Sequence, residues 1–179
     1  MDPQVVLDFW FKETEPSQHF KVSADFDALL TEKFGVIHRQ ATLGELAHFR
    51  QTIQGRLAEI IILDQFSRNI FRGEKQAFAS DGMALVLAQE ALKTGQVDQL
   101  SIQEKSFLYM PFMHSESLVI HQQAASYFDE PGLETTKHYE EKHRVIIERF
   151  GRYPHRNTIL DRESTPEEIT FLEGPDSSF

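Results

Sequence analysis

The stretch Arg56–Gly73, "RLAEIIILDQFSRNIFRG", decides the fold. Placed on a helix at about 100° per residue, Leu57, Ile60, Ile61, Ile62 and Leu63 leave its first half without a polar face. A helix that is apolar all round belongs in a core. The second half divides. Leu63, Phe66 and Ile70 share one side; Asp64, Gln65, Arg68, Asn69 and Arg72 share the other. Asp64 and Arg68 stand i, i+4 with the acid first, the favourable order for a helical ion pair. If the helix simply reaches water there, this is a surface pair contributing about 0.3–0.5 kcal/mol. If it does not, the same residues line a polar pocket. Glu59, on the same helix, reads as an ordinary surface acid.

Outward from this segment the pattern stays helical. "PQVVLDFWF" reads as a short helix with Pro3 in its first turn. Ser23 caps a helix carrying Phe26, Leu29, Leu30 and Phe34 at helical spacing, and a less regular stretch follows to Gly55. "SDGMALVLAQEALKTG" runs from Ser80 or Asp81 to a stop at Gly95. Ser101 and Glu104 stand in capping-box register ahead of a helix that Pro111 kinks or ends. A further helix restarts from Ser115 as N-cap. The segment "ETTKHYEEKHRVIIERFG" stops at Gly151, and Thr165, Pro166 and Glu168 open the last helix. Strand signals are nearly absent, and there is no strict 34-residue repeat. The reading is all-α: one domain over 1–173, built from antiparallel helix pairs, with 174–179 as a loose tail.

Composition narrows the function classes. The chain of 179 residues has 18 Lys+Arg against 28 Asp+Glu, a net charge of −10. That argues against general nucleic-acid or anionic-membrane binding, because phosphate-rich partners reward basic surfaces. No segment approaches the roughly 20 apolar residues of a membrane span. The absence of cysteine removes disulfides, thiolate nucleophiles and Cys-based metal sites, and fits a cytoplasmic location. The fifteen Phe residues predict an aromatic-rich core.

Against this acidic background "RFGRYPHRN", Arg149–Asn157, carries three arginines and no carboxylate. Residues 144–162 sum to +3, leaving −13 on the rest of the chain. Arg152, His155, Arg156 and Asn157 follow a helix stop and flank Pro154, so they sit on a short constrained loop. Arginine forks match carboxylate or phosphate oxygens in two-point geometry. A third polar group, "FMHSESL" at 112–118, places His114 and Glu116 at a helix junction. There is no HExxH, no glycine-rich phosphate loop and no nucleophile elbow. His138 and His143 are i, i+5, off register for a shared helical metal site, and no metal or cofactor is expected.

Four motifs in order, "VLDFWF", "LAEIIILDQFSRNIFRG", "PFMHSE" and "RFGRYPHRN" with "REST" beyond it, make nearly the whole chain resemble the bacterial domain-of-unknown-function family 924. The resemblance implies a helical fold similar to tetratricopeptide repeats and brings no activity with it. It also marks two departures: Phe49 stands where the family pattern suggests Trp, and Asp161 where it suggests Gly.

The functional expectation is a pocket for a small anionic ligand, whether bound only or also turned over. Asp64, Gln65, Arg68, Asn69 and Arg72 would form its floor, Glu116 a wall, and Arg152, Arg156 and Asn157 its rim. His114 or His155 would be the acid–base group. Two alternatives stand beside it: a non-catalytic helical module that holds a peptide, and a purely structural network of buried ion pairs.

Overall fold

The computed structural model describes residues 1–175 together with 177 and 178; of the expected tail, Asp176 and Phe179 lie outside the described residues. The helices are α1 (Pro3–Asp8), α2 (Ala24–Thr42), α3 (Ile53–Ile61), α4 (Ser67–Ile70), α5 (Asp81–Leu92), α6 (Ile102–Met113), α7 (Leu118–Ala124), α8 (Glu134–Phe150) and α9 (Pro166–Leu172). Among the described residues there is no strand, and no helix is long and apolar enough to cross a membrane.

Capping chemistry sets most of the starts. Asp2 accepts from the Gln4 N–H at 2.8 Å ahead of α1, and Ser23 Oγ from the Phe26 N–H at 3.3 Å ahead of α2. Both halves of the capping box form at α9. Glu168 N–H reaches Thr165 Oγ1 at 3.2 Å, and Thr165 N–H reaches Glu168 Oε2 at 2.8 Å. Such caps satisfy donors that a helix start leaves open, each worth about 1 kcal/mol. Gly151 ends α8 in the left-handed region, at φ 68°. Pro111 lies inside α6, which runs on to Met113, so of the two outcomes expected at that proline the helix end does not occur. The helix expected from Ser115 starts only at Leu118, because its predecessors are engaged elsewhere: the Ser115 N–H bonds Phe112 O and its carbonyl accepts from His121.

The chain divides into two compact units. Unit 1 comprises Met1–Arg72 and Gln76–Pro111; unit 2 comprises Gly73–Lys75 and Phe112–Phe179. In unit 1 every residue from Leu57 to Ser67 is buried. Burying each large aliphatic side chain contributes about 1.5–3 kcal/mol. An aromatic cluster packs against this run: Phe9 on Phe34 at 4.8 Å, Phe34 on Phe66 at 4.9 Å, and Trp10 on Phe66 at 5.5 Å and on Phe107 at 5.6 Å. The helical ladder widens to π geometry at Phe9–Glu13 and at Ile62–Phe66. In unit 2 one core cluster is Ile146, Ile147 and Tyr153, with Leu118, Phe150 and Phe171 around it.

The entry to α3 is fixed by a close backbone approach. Thr52 Oγ1 accepts from the Gly55 N–H at 3.0 Å, and a Cβ on Gly55 would stand 1.9 Å from the Phe49 carbonyl oxygen. Phe49 itself is fully buried. On helix propensity alone Gly55→Ala would stabilise by about 1 kcal/mol. The contact reverses the sign: Gly55→Ala is expected to cost about 1–3 kcal/mol, as overpacking does. A urea melt measures it, and a gain in stability would show that the Phe49 turn yields freely.

Candidate functional site

The polar half of the central segment lies in unit 1 and is buried rather than solvated. Asp64 is 1% exposed, and Gln65 and Asn69 are buried with it. The π turn at Ile62–Phe66 adds a residue to one turn, so the two-faced division expected of a regular helix does not hold. Arg68 Nη1 lies 3.2 Å from Asp64 Oδ1, and its fork also takes both oxygens of Asp81 at 2.9 and 3.1 Å. Gln65 donates to Asp64 Oδ2 at 2.6 Å. Asn69 and Arg72 turn to Asp27, at 2.8 Å for Asn69 and 2.6 and 2.9 Å for Arg72. Burial alone would raise the Asp27 carboxyl; the hydrogen bonds and charge of Arg72, with Asn69, outweigh it and hold the group below the usual range. Glu59, expected at the surface, is wholly buried, and Arg50 grips it with two bonds of 2.7 Å.

The other two polar groups meet inside unit 2. Glu116 accepts the Tyr153 N–H at 2.7 Å and the fork of Arg162 at 2.8 and 2.9 Å. Burial pushes its carboxyl up, but Arg162, the Tyr153 N–H and the charge of Arg156 bring it below the ordinary value. Arg152 takes both oxygens of Glu168, at 2.7 and 2.8 Å. Arg152, assisted by the Thr165 N–H and Asn157 and opposed by burial, holds Glu168 down at about 2. Asn157 is buried between Ser164, Glu168 and Arg162. Asp161 sits at φ 52°, the left-handed backbone that suits the glycine of the family pattern, and its carboxylate pairs with Lys75.

Around the buried ring of Tyr153 the two groups come together. Arg156 lies over the ring at 4.7 Å and donates to the His114 carbonyl at 3.1 Å. His155 is 5.7 Å from that ring and His143 5.5 Å, with His114 6.2 Å from His143, all between ring centroids. Tyr153 Oη donates to Met113 O at 2.5 Å and lies 3.2 Å from His121 Nε2. His121 in turn contacts Glu140 at 2.7 Å through Nδ1. Among the described residues no group of three or more His, Asp or Glu is arranged to hold a metal ion.

The family model for bacterial proteins of unknown function, DUF924, matches residues 6–176. The chain belongs to the DUF924 family. One solved structure, described as that of a protein of unknown function from Agrobacterium tumefaciens, is 39% identical. It superposes with a TM-score of 0.91 over 96% of this chain and 97% of that one. No curated protein matches.

Sequence reading did not single out His143, Tyr153, His121, Glu140, Asp27 or Asp81 of this DUF924 chain as site residues. Glu168 was legible only as a cap, and Arg162 only as part of "REST". The partners of Arg72 and Asn69 lie 45 and 42 residues away along the chain, so no local spacing announces them.

His143 yields a pH prediction. Its Nδ1 donates to the Tyr139 carbonyl at 2.7 Å. Burial, with the neighbouring histidines His114, His121 and His155, pushes its pKa from 6.5 down to about 3. The folded ring is therefore neutral where the unfolded one is charged. Its contribution is complete above about pH 6.5 and is lost as pH falls towards about 3, with a slope of up to about 1.4 kcal/mol per pH unit. His143→Asn keeps a donor for Tyr139 and removes the titration. Urea melts between about pH 7 and about pH 5 should show a flatter stability profile for the variant; parallel profiles would mean that His143 takes up its proton in the folded state.

Proposed function

We propose that the protein binds a small anionic ligand at the group around Tyr153, with Arg156 holding charge and His114 and His155 as the proton-exchanging groups. The observation that carries this is the convergence of the His143 and His155 imidazoles and the buried Arg156 guanidinium on the Tyr153 ring inside unit 2, with the His114 imidazole next to that of His143. His114 and His155 are half-buried, which leaves them reachable. Imidazoles exchange protons near neutral pH, so an anion seated against Arg156 would have acid and base groups at hand.

The structural-network alternative applies to a different subset. Arg72, Arg152 and Arg162 are each held in two-point bonds by Asp27, Glu168 and Glu116. These three, with Asn69 and Asn157, read as framework. Within unit 2, α7 and α8 follow one another across residues 125–133 and pack together, which supports reading the helices as antiparallel, tetratricopeptide-like pairs. The lack of cysteine supports a reducing, cytoplasmic setting.

The test is a thermal-shift screen of phosphate, nucleotides and carboxylic acids at constant ionic strength, since salt alone screens the chain's self-repulsion. A ligand at a hundredfold excess over its Kd should stabilise the fold by about 2.7 kcal/mol. Arg156→Lys, which keeps charge but loses the planar fork, and His114→Ala should each abolish the shift while leaving the circular dichroism spectrum helical. If no anion exceeds chloride, the proposal fails and the network reading extends to Arg156.

A further inference from the structure

Unit 1 contains a cleft of about 640 Å³ to which the four sequence motifs contribute only Ile70 and Phe71. It opens between α2, the end of α4 and the start of α5. Its volume falls within the range of about 300–1,000 Å³ typical of small-molecule sites. The apolar wall is Ile70, Phe71, Ala79 and Met83; the polar groups are His38, Arg39, Gln76 and Ser80, with two threonines. No carboxylate lines it, in a chain with 28 acids. Arg39 is exposed and makes no ion pair among the described residues, unlike Arg50, Arg68, Arg72, Arg152 and Arg162.

The second polar feature is the orientation of His38. Ser67 Oγ donates to the Leu63 carbonyl at 2.6 Å, an atom that can only accept. Its contact with His38 Nε2 at 2.7 Å therefore has the imidazole as donor. Burial pulls the His38 pKa below its ordinary value, so the ring is neutral at pH 7. A neutral ring with its proton on Nε2 carries a lone pair on Nδ1. No described residue engages Nδ1, and the ring forms part of the cleft wall, with Phe71 beside it at 5.4 Å. Ser67 is in this way a positioning residue: it fixes which nitrogen accepts.

We infer that this cleft is a binding site for an amphipathic monocarboxylate that carries an aromatic or branched apolar body and one N–H or O–H donor. The carboxylate meets Arg39. The donor meets His38 Nδ1, and the body lies on Ile70, Phe71 and Met83. One fixed cation matches a monoanion; a phosphate dianion would call for a second. This inference is independent of the Tyr153 group, since every lining residue belongs to unit 1.

Hippurate is the probe, because it combines a phenyl ring, an amide N–H and a carboxylate. Titration into the full chain, followed by calorimetry and by NMR chemical shifts, should give saturable binding, with shifts at His38, Phe71 and Met83. Arg39→Gln should weaken it at least about tenfold, a loss of about 1.4 kcal/mol. Hippuramide, which lacks the charge, and N-methylhippurate, which lacks the donor, should each bind at least about tenfold more weakly to the unaltered protein, a second measurement that needs no variant. Hippurate binding should survive Arg156→Lys, which separates this site from the Tyr153 group. The inference is overturned if hippurate does not saturate at millimolar concentration, if its shifts map to unit 2, or if Arg39→Gln and the two analogues leave affinity unchanged.

Discussion

Glu59, Asp64, Glu140 and Glu168 are all withdrawn from water, each 3% exposed or less. A carboxylate moved into a protein interior loses hydration worth several kcal/mol, and the fold must return it as hydrogen bonds and opposite charge. Each of the four has such a partner. Arg50 forks onto Glu59, Arg68 and Gln65 meet Asp64, His121 meets Glu140, and Arg152 with two backbone or amide donors meets Glu168. Guanidinium forks demand planar, two-point geometry, so the Arg50–Glu59 and Arg152–Glu168 pairs fix the angle as well as the distance between the segments they join.

This explains the basic stretch in an acidic chain. Arg149, Arg152 and Arg162 are carried to where the fold has placed carboxylates. Arg162 reaches back to Glu116, and in doing so closes the loop that Gly151 and Asp161 turn with left-handed backbone. The exposed pairs add little by comparison; Arg144 with Glu148 and Lys93 with Glu90 are of the sort worth about 0–1 kcal/mol. The same framework gathers the imidazoles of His121, His143 and His155 around Tyr153.

Local physics was legible in the sequence, and partnership over distance was not. Helical periodicity and the caps at Ser23 and Thr165 depend on neighbours within four residues, and the structure has them where the spacing puts them. The aromatic core followed from composition. Glu59 misled because an acid on a helix gives no sign of an arginine nine residues back that folds over it. Ser115 misled because a good capping residue can be outcompeted: its carbonyl is claimed by His121 and Glu116 is drawn to Tyr153. Of the residues expected to bind a ligand, Glu116, Arg152, Arg156 and Asn157 are brought together in unit 2 with His114 and His155, which the two motifs' sequence separation could not foretell. The α2 cleft was invisible, because His38 and Arg39 lie in a helix whose pattern reads as plain amphipathic surface.

The wide turn at Ile62–Phe66 sets the direction in which the rest of the segment faces. A π turn holds one residue more than the α turn it interrupts. Closing it by a one-residue deletion would restore the ordinary ladder and swing everything beyond it by about 100°. Ser67 would turn away from His38, and Asn69 from Asp27. The irregularity thus sets the phase of the segment: with the extra residue in place, Ser67 and Asn69 are aimed at α2.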